Sequence, residues 1–78
     1  MAAHVAAILR AEREKRSLSM NALAERAGLS QQMVSYVERE MRNPSLDILL
    51  RITGVLQLEL SQVLQRAEKA ALRSLSVS

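Results

Sequence analysis

The chain has 78 residues, and its 11 Lys and Arg exceed its eight Asp and Glu to give a net charge of +3. It has no cysteine and one histidine, His4, which excludes a disulfide framework and argues against a thiolate metal site or histidine-based catalysis. Tyr36 is the single aromatic residue, and a composition rich in Leu, Val, Ile, Ala and Met favours helices over sheets. We therefore expect one all-α domain spanning 1–78, without cofactor, metal site or catalytic residues.

The positive charge is concentrated near the beginning of the chain. Residues 10–16 carry four positive and two negative charges, whereas residues 19–44 carry three of each. This mildly basic balance is compatible with binding to nucleic acid. No apolar run approaches the roughly 18 residues of a membrane span, and the first residues lack the basic start and cleavage site of a secretory signal. We expect no membrane association and a cytoplasmic location.

Five helices are predicted in chain order. The first runs from about Ala3 to Lys15 and places Val5, Ile8, Leu9 and Glu12 on one face. Four serines then precede apolar-periodic runs, and serine is a favoured N-cap because its oxygen accepts an otherwise unpaired N–H group of the first helical turn. The predicted N-caps are Ser19, Ser30, Ser45 and Ser61. The last helix would then extend to about Leu75.

The segment from Ser19 to Pro44 reads as two short helices joined by a tight turn at Gly28 and Leu29. The second of these helices opens with Gln31 and Gln32. A carboxamide offers a donor and an acceptor side by side, which suits the edges of DNA bases. We therefore predict a helix-turn-helix over 19–39, with 31–39 as its recognition helix.

The fourth helix is the most apolar in the chain, and the last helix carries an apolar stripe larger than a five-helix monomer of this size needs to cover. Gly54 interrupts the fourth helix and indicates either close packing or an early helix end. The apolar stripe of the last helix has two interpretations, namely burial against the fourth helix or a two-fold dimer interface. We favour the interface for Val63, Leu64, Ala67, Ala71 and Leu75.

With its helices placed, the chain resembles the phage-repressor-like helix-turn-helix family, also called the Cro or XRE family. The similarity extends from about His4 to Leu64, and its spacing is more specific than a turn glycine alone. The residues that carry it are Leu9, Arg13, Leu18, Ser19, Leu23, Ala24, Gly28, Leu29, Ser30, Val34, Ser35, Val37, Glu38, Arg42, Asn43, Pro44, Ser45, Leu49, Ile52 and Leu56. The resemblance implies a five-helix lambda-repressor-like DNA-binding domain.

The resemblance also implies roles for individual residues. Arg13 and Glu38 would form an ion pair that ties the first helix to the end of the third. The candidates for base contacts are Ser30, Gln31, Gln32, Ser35 and Tyr36. The start of the second helix, with Ser19 and Asn21, and the loop with Arg42 and Asn43 would contact phosphates. Independently of the resemblance, the positive charges of Arg10, Arg16, Arg39 and Arg42 make them candidates for phosphate contacts, and the alternative for each is a solvated surface position. For Ser35 and Tyr36 a backbone contact stays open, and the ring of Tyr36 could instead cover the turn.

Three positions depart from the family pattern. Met20 stands where a glutamine commonly contacts phosphate and braces the first recognition residue, here Gln31. Methionine cannot make these contacts, although the neighbouring Asn21 could. Gln31 therefore loses its usual support, and Gln32 is expected to be the steadier of the two in contacting a base. Glu40 and Gln57 stand where glycines commonly follow the third and fourth helices. Those helix ends would need another geometry, or would bear a cost of about 1 kcal/mol for a left-handed residue that is not glycine.

The function expected from these features is sequence-specific binding to double-stranded DNA by a homodimer that recognises a palindromic operator and regulates transcription. The small size suggests a regulator without a ligand-sensing domain. The alternative is an antitoxin or other protein-interaction module whose partner is a toxin and whose DNA binding is secondary. An enzyme is not expected, because no nucleophile–base set, metal-ligand cluster or paired carboxylates occur at useful spacing.

Overall fold

The computed structural model describes residues 2–40 and 43–76, and these contain five helices and no strand. The helices are α1 (Ala2–Lys15), α2 (Met20–Ala27), α3 (Gln31–Glu38), α4 (Leu46–Val55) and α5 (Leu60–Ser76). The predicted all-α, five-helix architecture is confirmed. Helix α1 packs against α5, while α2 packs against both α3 and α4. No described helix is both long and apolar enough to cross a membrane.

Three helices end in the same turn, in which a left-handed residue is followed by a leucine. The left-handed residues are Ser17 (φ 56°), Gly28 (φ 70°) and Gln57 (φ 58°). The following leucine donates its N–H to the carbonyl five residues earlier: Leu18 to Arg13 at 3.2 Å, Leu29 to Ala24 at 2.8 Å and Leu58 to Thr53 at 2.9 Å. Each of these leucines then packs against the core. The turn is therefore held by backbone bonds and by apolar burial together.

Glycine is not required for this left-handed geometry. Glu40 (φ 59°) and Gln57 adopt it after α3 and α4. Of the two geometries expected for these helix ends, the structure therefore has a left-handed residue other than glycine. Each such residue costs about 1 kcal/mol relative to glycine. The burial of the leucine after Gln57 offsets part of that cost.

Three of the four predicted N-caps are confirmed. The Oγ atoms of Ser19, Ser30 and Ser45 accept hydrogen bonds from the N–H groups of Ala22, Met33 and Ile48 at 3.0, 3.1 and 3.2 Å. The prediction for Ser61 is wrong, because α5 begins one residue earlier at Leu60. The carbonyl of Glu59 accepts the first N–H groups of α5, from Gln62 and Val63. The turn through Gln57 and Leu58 places Glu59, and not Ser61, where the helix starts.

The core is built from one face of every helix. Its fully buried apolar side chains include Leu9, Leu23, Val34, Ile52, Leu56, Val63 and Ala67. Leu46 and Leu50 of α4 are 63% and 51% exposed, so only part of the apolar surface of α4 lies in the core. Periodicity predicted the core face of α1, where Leu9 is 1% exposed.

A carboxylate of α1 holds α5 at the surface of this core. Glu12 accepts a hydrogen bond from Arg16 within α1 and another from Arg66 of α5, the latter at 3.0 Å. Its side chain is 11% exposed. The hydrogen bonds from Arg16 and Arg66 lower the pKa of Glu12 below its usual value, so the carboxylate stays charged in neutral solution.

The two glycines are expected to respond in opposite ways to replacement by alanine. A Cβ atom on Gly54 would meet nothing within 4 Å, so Gly54→Ala should raise the free energy of unfolding by up to about 1 kcal/mol. A Cβ on Gly28 would lie 3.1 Å from Nη1 of Arg51 in a left-handed backbone, so Gly28→Ala should lower it by about 1–2 kcal/mol. Urea unfolding followed by far-ultraviolet circular dichroism measures both changes. Equal effects at the two positions would contradict the prediction.

Candidate nucleic-acid interface

Helix α3 divides into a buried side and an outward side. Val34 and Val37 are buried, at 0% and 4% exposure. Gln31 and Gln32 are exposed, and Ser35 and Tyr36 are half-buried one helical turn further along. The outward side therefore presents two carboxamides and two hydroxyl groups, which are hydrogen-bonding groups suited to base edges. We call these four residues the polar face of α3.

Ser30 and Met33 lie at the border of this face. Ser30 is exposed, and its hydroxyl oxygen already accepts the N–H of Met33 as the N-cap of α3. The hydroxyl proton stays free to donate. Met33 is half-buried, so its thioether lies between the core and the polar face.

Gln32 and Tyr36 are joined by a hydrogen bond within the polar face. The Nε2 group of Gln32 donates to the hydroxyl oxygen of Tyr36, four residues along the helix. Residues at this spacing lie above one another on a helix surface. The pairing fixes the amide of Gln32 on the exposed side of α3.

A buried ion pair fixes α3 against α1. Arg13 donates through Nε and Nη2 to the two carboxylate oxygens of Glu38 at 2.7 and 3.0 Å. The side chains are 10% and 3% exposed. The hydrogen bonds from Arg13 to Glu38 raise the pKa of the guanidinium, which remains charged. Through Nη1, Arg13 also donates to the carbonyl of Leu18 at 2.7 Å, so one side chain links α1, the loop before α2 and the end of α3.

A second arginine supports the turn between α2 and α3. Arg51 of α4 donates through Nη1 to the carbonyl of Ala27 at 3.4 Å and through Nε to Asp47 at 2.9 Å. Its guanidinium thus lies at the C-terminus of α2, where a positive charge complements the helix dipole. Arg51 therefore connects α4 to the helix-turn-helix directly.

The residues predicted to contact phosphate differ in whether their side chains already form ion pairs within the protein. Arg10 forms an exposed pair with Glu14 at 3.3 Å, and Arg16 is bound to Glu12. The part of the chain that the structure describes places no carboxylate in an ion pair with Arg39. Asn21 and Asn43 are exposed, and Ser19 caps α2. Arg42 lies outside the described residues.

The comparisons with known proteins agree with this geometry. A family model described as helix-turn-helix matches residues 9–63, which include α2, α3, α4 and the Arg13–Glu38 pair. The chain belongs to the Cro/C1-type, or XRE, helix-turn-helix family. The family predicted from the sequence is therefore confirmed, and so is the lambda-repressor-like fold.

Named members and structures similar to this XRE-family chain include regulators of transcription. An uncharacterized HTH-type transcriptional regulator of Mycobacterium tuberculosis is 41% identical over 59 residues, which cover 76% of this chain and 42% of the relative. The chain thus spans less than half of that protein. The clp gene regulator ClgR of Corynebacterium glutamicum has a TM-score of 0.84 at 25% identity, covering 96% of this chain and 81% of that structure. SinR, a master regulator for biofilm formation crystallised with DNA, has a TM-score of 0.72 at 28% identity, and the match covers 77% of this chain and 97% of the SinR chain.

The structure corrects the dimer interface expected for this XRE-family chain. Val63 and Ala67 are both 0% exposed, because they face the core of their own protomer, and no surface of either remains for a partner. Leu64 and Ala71 are half-buried. Leu75 is 74% exposed, so the outer part of the predicted stripe lies at the surface.

Two supporting contacts were not expected from the sequence. The bond between Gln32 and Tyr36 is signalled only by their spacing of four residues, which also occurs in pairs that do not touch. The contact of Arg51 with Ala27 joins residues 24 positions apart. Such contacts depend on how α2 and α4 cross, and no local pattern encodes that crossing.

Proposed function

We propose that the protein binds double-stranded DNA in a sequence-specific manner, as a homodimer on a palindromic operator, and thereby regulates transcription in the cytoplasm. The observation that carries the proposal is the polar face of α3, which is exposed while the opposite side of the same helix is fixed by the buried Arg13–Glu38 pair. A rigidly mounted helix with exposed carboxamides can enter the major groove without rearrangement. Binding, and not catalysis, is the proposed activity.

In the proposed complex the polar face reads bases. Gln31 and Gln32 lie in the first turn of α3, which is the part of a recognition helix that reaches furthest into the groove. Each carboxamide can make a bidentate contact with adenine. Ser30, Ser35 and Tyr36 border these two residues and complete the proposed set of base contacts.

The surroundings of the polar face supply the phosphate contacts in this proposal. Ser19 and Asn21 lie at the start of α2, where the helix dipole favours an anion. Arg39 follows the end of α3, and Asn43 is exposed before α4. The remaining proposed contacts are Arg10, Arg16 and Arg42. Of these, Arg16 would have to leave Glu12 to reach a phosphate.

The proposed dimer uses the outer side of α5. Leu64, Ala71 and Leu75 lie on a strip next to the core-facing residues of the helix, and Leu72, at 56% exposure, lies beside it. Exposed leucines at helical spacing are suited to pairing with the same surface of a second copy. Such a dimer would place two α3 helices about 34 Å apart, one turn of the duplex.

Selection of bound duplexes from a random pool tests the whole proposal. A palindrome with half-sites about one turn apart is the expected result. Enrichment of a single half-site would reject the dimer and keep base reading. No enriched motif would reject sequence-specific binding.

A toxin or other protein partner is the second candidate, and the exposed Leu72 and Leu75 favour it as they favour a dimer. The two candidates predict different masses for the purified protein. A dimer by light scattering supports self-association through these residues. The second candidate would be supported if the purified protein were a monomer and if Leu72 and Leu75 became buried only in a complex with the other protein.

Base and phosphate contacts are expected to respond differently to alanine. Gln32→Ala should weaken binding to the selected operator by about 1–3 kcal/mol and relax preference at one base pair per half-site. Arg39→Ala should instead weaken binding to all sequences and lower the salt slope by about one per half-site. Fluorescence anisotropy titrations at several salt concentrations separate the two. Equal weakening by Gln32→Ala on every sequence would contradict its role as a reader.

A further inference from the structure

The side chain of Gln32 is exposed and is held by one hydrogen bond. Its Nε2 group donates to the hydroxyl of Tyr36, which is half-buried on the same side of α3. A free glutamine side chain has rotamer entropy that it loses on binding. The hydrogen bond removes part of that loss in advance, which is the usual benefit of preorganisation.

We propose that Tyr36 is a positioning residue that holds the amide of Gln32 in the orientation that reads adenine. The inference rests on the proposed function, since it assigns a base to one residue of the polar face. It also gives Tyr36 a role beyond its own place among the proposed base contacts, because the preference at the base pair read by Gln32 would depend on Tyr36 through Gln32.

The atoms of the amide account for the choice of base. Gln32 has two N–H donors and one carbonyl acceptor. Bidentate pairing with adenine uses one N–H toward N7 and the carbonyl toward the N6 amino group. The hydroxyl of Tyr36 occupies an N–H and leaves the carbonyl free. If the carbonyl were occupied instead, the two remaining N–H donors would suit the N7 and O6 acceptors of guanine.

The first residue of α2 does not supply this positioning. Met20, the first residue of α2, is half-buried and packs against the core, and its thioether carries no donor. The support for Gln32 therefore comes from within α3 itself, one turn further along.

The test is a double-mutant cycle with Tyr36→Phe and Gln32→Ala on the selected operator and on the same duplex with guanine in place of adenine. Tyr36→Phe removes the hydroxyl and keeps the ring. It should lower the preference for adenine at the base pair read by Gln32 by roughly 2- to 10-fold, the worth of one hydrogen bond. In the Gln32→Ala background the same change should have no further effect on that preference.

Three results would overturn the proposal. Equal effects of Tyr36→Phe with and without Gln32 would mean that Tyr36 contacts DNA independently. A preference for guanine at this base pair in the unaltered protein would mean that the amide has the opposite orientation. An unchanged preference in Tyr36→Phe would mean that the hydrogen bond does not position Gln32. Failure of the proposed function is distinguishable, because the unaltered protein would then show no base preference at all.

Discussion

Replacing Glu38 by glutamine is expected to lower the free energy of unfolding by about 3–5 kcal/mol. The change leaves the guanidinium of Arg13, whose side chain is 10% exposed, without the carboxylate that it binds. The carbonyl of Leu18 still accepts one of its hydrogen bonds, but a carbonyl cannot neutralise the charge. Urea unfolding followed by far-ultraviolet circular dichroism measures the loss as a shift in midpoint at constant slope.

The matched control is Glu14→Gln, which removes the same charge from an exposed pair. Arg10 and Glu14 are 62% and 57% exposed and are four residues apart. Because water screens such a pair, its loss should cost less than about 1 kcal/mol. If the two variants were equally stable, Arg13 and Glu38 would not hold α1 and α3 together in the way proposed.

The ends of the helices show how far local sequence reasoning extends. Three N-caps followed from serine chemistry, because a cap is made by residues three apart and depends on little else. Ser61 failed because the start of α5 is fixed by the preceding turn, where Gln57 is left-handed and Leu58 is tied back to Thr53. The sequence marks Gln57 as a candidate for a left-handed residue, but it does not show that the turn moves the start of α5 ahead of Ser61.

The residues of α5 show a different limit. Periodicity identified Val63 and Ala67 as apolar positions on one side of the helix, but periodicity does not say which surface covers them. The packing of α1 against α5 decides it, and both residues are fully buried within the protomer. The same packing leaves Leu75 outside. In α3, by contrast, Gln31 and Gln32 are exposed as a recognition helix requires, and Val34 and Val37 are buried on the opposite side.

Leu75→Glu is the variant expected to have the largest effect on DNA binding. Leu75 is 74% exposed, so the protomer should fold normally, while a two-fold interface would bring two carboxylates together. In a dimer, the second protomer binds its half-site as an intramolecular event once the first is bound. If the dimer is lost, this advantage is lost too, and affinity for a palindromic duplex should fall by about 10²- to 10⁴-fold. Affinity for a duplex with one half-site should be unchanged. Light scattering should show a shift from dimer to monomer.

Leu46→Glu is the matched control, because Leu46 is a similarly exposed leucine, at 63%, on α4. It should leave the mass and the affinity for the palindrome unchanged. If Leu46→Glu dissociated the dimer and Leu75→Glu did not, the interface would lie on α4 and the role assigned to the outer side of α5 would be wrong. Both variants replace an exposed leucine by the same charged residue. A difference in mass or in affinity for the palindrome would therefore come from the position of the substitution and not from the added charge alone.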